Sequence, residues 1–406
     1  MTTTNKRYGI ALDIGTTTLA MELVDLKTGE EVASASGLNA QRKFGQDVLT
    51  RITYEYRAGE KAMENLQKLL VDSINELLAG VCKQAGIRED DIEEIVVAAN
   101  CVMTHTLLGQ DARCMGRAPY QTAFLEAQSL PAKEIGIVAG DKTMLYCLPQ
   151  VSAFLGGDIV AGVYECGLYP GKADAALFID IGTNGELVLA TCGGLVACSC
   201  AVGPALEGMN ITHGMVAKEG AIEEVVIRDG KVQLQVIGDS EPRGLCGSGV
   251  LSAVRELLKN GTIDVTGRLL TEEFLICQEP KIAITQKDIR QIQLAKGAIL
   301  AAIRTLLQHE NISMEKIDRF YVAGQFGEHL SEHILIDTGI LPREAEGRIS
   351  YVGNTSKKGA KAALLSQKAR KEMEGIAGEI SYLELSNTEG YMQLFMESMN
   401  FPKMDM

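Results

Sequence analysis

The feature that most constrains this chain is a phrase it uses twice. Leu177-Phe178-Ile179-Asp180-Ile181-Gly182-Thr183-Asn184-Gly185-Glu186 is an apolar, β-branched run that ends in an aspartate and passes at once into a Gly-Thr-Asn-Gly turn. Near the N-terminus, Tyr8-Gly9-Ile10-Ala11-Leu12 leads into Asp13-Ile14-Gly15-Thr16-Thr17-Thr18 in the same way. Each copy reads as an interior strand that delivers a carboxylate to its tip, followed by a tight turn. Two such copies imply two similar halves, and 406 residues is too long for one ordinary core. The turn chemistry at Tyr169-Pro170-Gly171 marks the boundary, giving an N-terminal domain over 1–170 and a C-terminal domain over 171–406.

Composition narrows the setting. With 46% hydrophobic and 23% charged residues the chain is globular, and no window approaches the roughly 18 uninterrupted apolar residues of a membrane span. The polar opening Met1 to Arg7 runs straight into a strand with no apolar signal-peptide core, so a cytoplasmic protein without membrane contact is expected. There, ten cysteines read as small buried hydrophobes or metal ligands instead of disulfides. A net charge of -14 opposes nucleic-acid binding, but not binding of a nucleotide whose magnesium brings its own positive charge.

Between the two phrases, Met21–Val24 and Val32–Ser36 read as an antiparallel hairpin, and Met63, Leu66, Leu70, Ile74, Leu77, Leu78 and Val81 recur at helical spacing. Glu94–Ala99 reads as a strand and Asp158 as the cap of a helix through Tyr164. Cys198–Glu207 reads as a turn entering a helix, and Thr285 with Asp288 as a capping box opening a long one. Met392–Met406 reads as a closing helix with Leu394, Phe395 and Met399 inward.

A strand-end aspartate beside a Gly-Thr turn suits a Mg-nucleotide. Glycine lets backbone N–H groups approach phosphate oxygens, and the carboxylate holds magnesium directly or through water. Gly15, Thr16 and Thr17 in one half, and Gly182, Thr183, Asn184 and Gly185 in the other, are therefore the expected phosphate contacts. Asp13 and Asp180 are expected to flank the hydrolysed bond from opposite walls of one crevice and to hold Mg2+. No Gly-x-x-x-x-Gly-Lys-Ser/Thr occurs, which removes the P-loop alternative. Glu207 and Ser248 stand equally as nucleotide contacts or helix caps.

These segments resemble the superfamily of acetate and sugar kinases, heat-shock chaperones and actin. Asp13-Ile14-Gly15-Thr16-Thr17 is similar to its first phosphate motif, Asp180 to Gly185 to its second, and Val322-Ala323-Gly324-Gln325-Phe326-Gly327 to its adenosine motif. The resemblance implies two ribonuclease H-like α/β domains around a nucleotide cleft, with Gly324, Gln325, Phe326 and Gly327 at the adenosine. Within that superfamily the chain most resembles ATP-dependent reductive activators of corrinoid proteins. The segments that carry this are Asp180–Glu186, Ala197–Ser199, Gly203–Gly208, Gly244–Gly249, Gln293–Ala298 and Ala323–Gly327. It implies ATP hydrolysis coupled to reduction of Co(II) to Co(I) on a partner corrinoid protein of a methyltransferase system. Such activators usually carry an iron-sulfur module ahead of the ATPase. No Cys-x4-Cys-x2-Cys spacing occurs here, so the electron is expected from a separate donor protein.

Three rival readings remain. Cys200-Ala201-Val202-Gly203 resembles the cysteine turn of 2-hydroxyacyl-CoA dehydratase activators, in which two cysteines per subunit hold one [4Fe-4S] cluster across a homodimer. Cys166 and Cys200 are the matching pair, set against burial as ordinary small residues. The second rival is a small-molecule kinase, and the third a non-catalytic, nucleotide-dependent scaffold.

Overall fold

The computed structural model describes residues 7–169, 171, 175–324 and 330–404. It divides the chain into two compact units, 1–169 with 354–382 and 170–353 with 383–406. In the first unit, β1 (Tyr8–Ile14), β2 (Thr18–Asp25) and β3 (Glu31–Leu38) form an antiparallel meander. Helices α1 (Val48–Ala58) and α2 (Glu60–Ala85) follow, then β4 (Ile92–Ala99), α3 (Cys101–Leu107), β5 (Gln128–Pro131), β6 (Met144–Cys147) and α4 (Gly157–Glu165). Strand β4 runs parallel to β1 and β6 parallel to β4, giving the order β3-β2-β1-β4-β6-β5. Central β1 is covered on both faces: Ile10, Leu12 and Ile14 join Leu70, Ile74 and Leu78 of α2 in one core, while Ala11 is buried behind them. That is why its sequence is continuously apolar instead of alternating.

The second unit repeats the plan. β7 (Ala175–Ile181), β8 (Gly185–Thr191) and β9 (Gly194–Cys200) form the meander. Next come the hairpin β10 (Ala221–Arg228)/β11 (Lys231–Val236), β12 (Gly244–Leu245), α5 (Gly247–Lys259) and the hairpin β13 (Glu273–Cys277)/β14 (Ile282–Thr285). Helix α6 (Gln286–His309), β15 (Ile317–Ala323), α7 (Glu332–Asp337) and β16 (Ile349–Gly353) complete the run. With β15 parallel to β7 and β16 parallel to β15, the order β16-β15-β7-β8-β9 reproduces β6-β4-β1-β2-β3. This ribonuclease H-like strand order, present twice, gives the two similar halves that the doubled phrase predicts and the α/β class that the superfamily resemblance implies. Helix α6 opens with the expected capping box, Thr285 and Asp288 each accepting from the other's backbone N–H, and buries Ile289, Ile292, Ile299 and Ile303.

Two local expectations differ. Cys198–Cys200 completes β9, and only a 3-10 turn, Pro204–Glu207, follows, because Gly203 (φ 74°) and Gly208 (φ 79°) bracket it with backbone that cannot continue an α-helix. Helix α4 is capped by Gly156, not Asp158, which lies in its first turn; a Cβ at Gly156 would stand 2.4 Å from the Ala99 carbonyl oxygen.

The first unit is completed from far along the chain. Helices α8 (Thr355–Leu365) and α9 (Gln367–Glu379) pack there, α8 lying on β1 and β4. Gly359 makes this approach possible, since a Cβ there would be 2.5 Å from that of Ala161 in α4. Buried Glu22 meets Lys361 at 2.5 Å and Lys357 at 3.7 Å, and Arg370 grips Glu94 with two bonds of 2.9 and 2.7 Å. A linear division at 170/171 leaves residues 354–382 with the other half. The closing helix α10 (Tyr391–Ser398) packs along α6 in the second unit, with Phe395 partly buried against its core. Among the described residues no helix is long and apolar enough to cross a membrane.

Candidate functional site

The first phrase folds into a hairpin whose turn is held from behind. Asp13 is the next-to-last residue of β1, level with Ala20 on β2 and Ala98 on β4. The Gly15 N–H donates to the Thr18 carbonyl (2.9 Å), and a Cβ at Gly15 would stand 2.8 Å from that oxygen, so only glycine closes the turn without displacement. Three asparagines surround it, each capping a helix. Asn354 accepts the Lys357 N–H at the start of α8 (2.7 Å) and donates its amide to the Asp13 carboxylate (2.7 Å). Asn100 accepts the Met103 N–H at the start of α3 (2.9 Å) and donates to the Thr16 hydroxyl (3.2 Å). Asn39 accepts the Gln41 N–H (3.0 Å) and donates to the Gly15 carbonyl (3.1 Å). Because each amide oxygen is spent on its own helix, the NH2 end must face the hairpin. The buried Arg51 guanidinium of α1 donates to the Thr16 carbonyl at 2.5 Å.

The second hairpin is built alike. Asp180, next to last in β7, is level with Ala323 on β15 and with Glu186 across the turn. The Gly182 N–H donates to the Asn184 carbonyl (2.9 Å), the Gly203 N–H to the Thr183 carbonyl (2.8 Å), and the Thr183 hydroxyl to Glu207 (2.9 Å). Desolvation pushes the Asp180 carboxyl up to about 6 and raises Glu207 as well, the latter opposed by its Thr183 bond. Gly324 ends β15 at φ 91°; a Cβ there would sit 3.0 Å from Asp180 Oδ1 and 2.8 Å from the Ile181 carbonyl oxygen. The strand end is thus kept clear beside the carboxylate.

The structure therefore brings together Asp13, Gly15, Thr16 and Thr17 in the first unit. In the second it joins Asp180, Gly182, Thr183, Asn184, Gly185, Glu207 and Gly324. Ser248 bonds with Cys246 Sγ in its own turn (3.2 Å), and its helix α5 packs on the 204–207 turn that carries Glu207. Gln325, Phe326 and Gly327 lie outside the described residues. Cys200 is buried behind the second hairpin, where a Cβ at Gly185 would be 2.9 Å from its sulfur, and burial raises its thiol pKa. Cys166 follows α4 in the other unit. Among the described residues no three of His, Cys, Asp and Glu gather as a metal site.

Reading from the sequence misses Arg51, Asn39, Asn100 and Asn354. The asparagines carried a usable signal, since each directly precedes a helix. Arg51 carried none, for a lone arginine in an amphipathic helix reads as solvated.

Residues 8–170 match the model described as the RACo middle region, and residues 174–406 the model of the C-terminal domain of RACo, the ASKHA domain. The chain is similar to the corrinoid activation enzyme RamQ of Eubacterium limosum, 32% identical over 424 residues that take in 97% of this chain and 70% of that one. It is also similar to the Co(II) methylated amine-specific corrinoid protein reductase of Methanosarcina barkeri, 26% identical over 430 residues, covering 97% and 77%. Among solved structures, a reductive activator for corrinoid,iron-sulfur protein superposes with a TM-score of 0.90 at 39% identity, over 100% of this chain and 67% of that one. With matched strand order in both units, a carboxylate at the tip of each leading strand, and both family models covered, this chain belongs to the RACo family.

Proposed function

We propose that this protein hydrolyses Mg–ATP and uses that step to drive reduction of Co(II) to Co(I) in a partner corrinoid protein of a methyltransferase system, with a separate protein as electron donor. The observation that carries the nucleotide half is the recurrence, in both units, of a strand-end carboxylate beside a turn whose carbonyls are engaged by the protein's own donors. The corrinoid half rests on what the relatives are named for.

The residues fit the group. Mg2+ binds through one or two carboxylates plus water and phosphate oxygens instead of an all-protein cage, and Asp13 in the first unit and Asp180 in the second would each offer one such carboxylate. Bound magnesium would neutralise phosphate charge. The rest belongs to this chain. The backbone N–H groups of the Gly15–Thr17 and Gly182–Asn184 turns orient the phosphates. Asp180, the strand-end carboxylate of β7, would take a proton from an attacking water. Asp13 is held for a single orientation by Asn354. The reading takes the chain as a cytoplasmic homodimer.

The test is the appearance of the Co(I) spectrum when a purified Co(II) corrinoid protein, a strong reductant, ATP and this protein are mixed. ATP should be needed, ADP and phosphate should appear with no phosphorylated small molecule, and Asp180→Asn should cut both ATP turnover and Co(I) formation by about 100-fold or more. Co(I) formation that proceeds equally without ATP would sink the coupled role.

A further inference from the structure

Arg51 is 1% exposed and none of its hydrogen bonds goes to a carboxylate. Nε donates to the Gly45 carbonyl (3.0 Å), Nη1 to Gln41 Oε1 (2.9 Å) and to Met103 Sδ (3.4 Å), and Nη2 to the Thr16 carbonyl (2.5 Å). Asp47, the acid whose field it feels, spends its two oxygens on the N–H and hydroxyl of Thr50 (2.8 and 2.9 Å). Burial lowers its pKa to about 10, which leaves it charged at neutral pH. An arginine buried without an anion is costly, and an arriving anion would offset that cost.

The surroundings say where the anion goes. The Gly15 carbonyl accepts from Asn39 Nδ2 (3.1 Å), the Thr16 carbonyl from Arg51 and the Thr17 carbonyl from the Asn39 N–H (2.9 Å). In a trans peptide the C=O and the following N–H point opposite ways, so drawing the Gly15 and Thr16 carbonyls toward the protein turns the Thr16 and Thr17 N–H groups away from it. Two successive N–H groups aimed alike form an anion-binding nest, and a cation lies behind this one.

We propose that Arg51 is the positioning residue of the first hairpin: it holds the Thr16 carbonyl back, fixes the outward N–H groups, and supplies from beneath the charge that a bound phosphate balances. This rests on the nucleotide reading above and adds to it the residue that makes the first turn selective for phosphate.

The experiment is a binding titration of the full-length protein, and of its Arg51→Met and Arg51→Lys variants, with Mg–ATP and with adenosine, checking by circular dichroism that each is folded. Arg51→Met should weaken Mg–ATP by about 10-fold or more, the scale of one charge-assisted hydrogen bond, and leave adenosine within about threefold. Arg51→Lys, which keeps the charge but not the fork, should fall between the two. Should Arg51→Met not fold, Arg51→Lys decides alone by the same phosphate-selective loss. Equal losses for Mg–ATP and adenosine would make Arg51 a structural residue only and overturn the proposal, as would unchanged Mg–ATP binding in a folded variant. Failure of the unaltered protein to bind Mg–ATP removes the nucleotide reading itself, and the role of Arg51 falls with it.

Discussion

Asn39, Asn100 and Asn354 solve one problem in one way. An asparagine at a helix N-cap has its side-chain oxygen committed, so its NH2 end is a donor of known direction, and all three donors are used on the Gly15 turn or on Asp13. Asn354→Asp keeps the cap acceptor but sets a second carboxylate against Asp13. The acidic limb of the ATPase pH–rate profile is expected to move upward, and an unmoved limb would argue that Asp13 does not depend on this bond. Asp180 permits a sharper test. Its folded pKa of about 6 lies above the ordinary carboxylate value near 4, so the folded state binds more protons between those pH values. The stability penalty is therefore absent below about pH 4 and full above about pH 6. Asp180→Asn should melt higher than the unaltered nucleotide-free protein at pH 7.5, with the gain vanishing toward pH 4, even as activity is lost. A variant less stable than the parent at pH 7.5 would show that the carboxylate is not held at such a cost.

At the scale of elements, the tail helix α10 is fastened by polar side chains of α6: Gln293 donates to the Met399 carbonyl (2.8 Å), Arg304 to the Ser398 hydroxyl (3.2 Å), and Lys296 to two carbonyls. Lys296 of α6 is fully buried and donates to the Ser398 and Asn400 carbonyls (2.6 and 2.5 Å), with the Phe401 ring 5.5 Å away. Desolvation, aided by Arg304, pushes it down to about 7. Between that value and the ordinary lysine pKa the unfolded chain binds more protons, so this group's penalty is full below about pH 7 and gone above about pH 10. The unaltered protein should therefore gain stability relative to Lys296→Met between pH 7 and pH 9 in thermal melts. Lys296→Met should also speed proteolytic cutting around residues 391–401, since two helix-end carbonyls lose their donor. Unchanged cutting would mean that the Gln293 and Arg304 bonds and the apolar face hold α10 without Lys296. The paired meanders teach a different lesson: β1 and β7 are legible as strands because each is buried on both faces, while the exposed alternation of β10 and β11 lacks the chemistry that drew attention to the other two.

For the whole molecule, the consequence that matters is that the first unit is assembled from two separated pieces of chain. A fragment of residues 7–169 leaves buried Glu22 without Lys357 and Lys361, Glu94 without Arg370, and Asp13 without Asn354. Such a fragment is expected to show no cooperative melt by circular dichroism, and appending residues 354–382 through a flexible linker should restore one; a cooperative melt of 7–169 alone would contradict this. The repeated strand-turn phrase, the two carboxylate tips, the α2 periodicity and the α6 capping box were all readable beforehand. Each is written within about ten to twenty neighbouring residues, where spacing decides which face is buried and which backbone groups need a cap. The bond from Asn354 to Asp13, 341 positions apart, the return of α8 to β1, and the placing of Arg51 beneath Thr16 were not. A local pattern shows that a face must be covered but not by what, and only the packed structure, where shape and hydrogen-bond geometry choose among many apolar helices and lone polar residues, makes that choice.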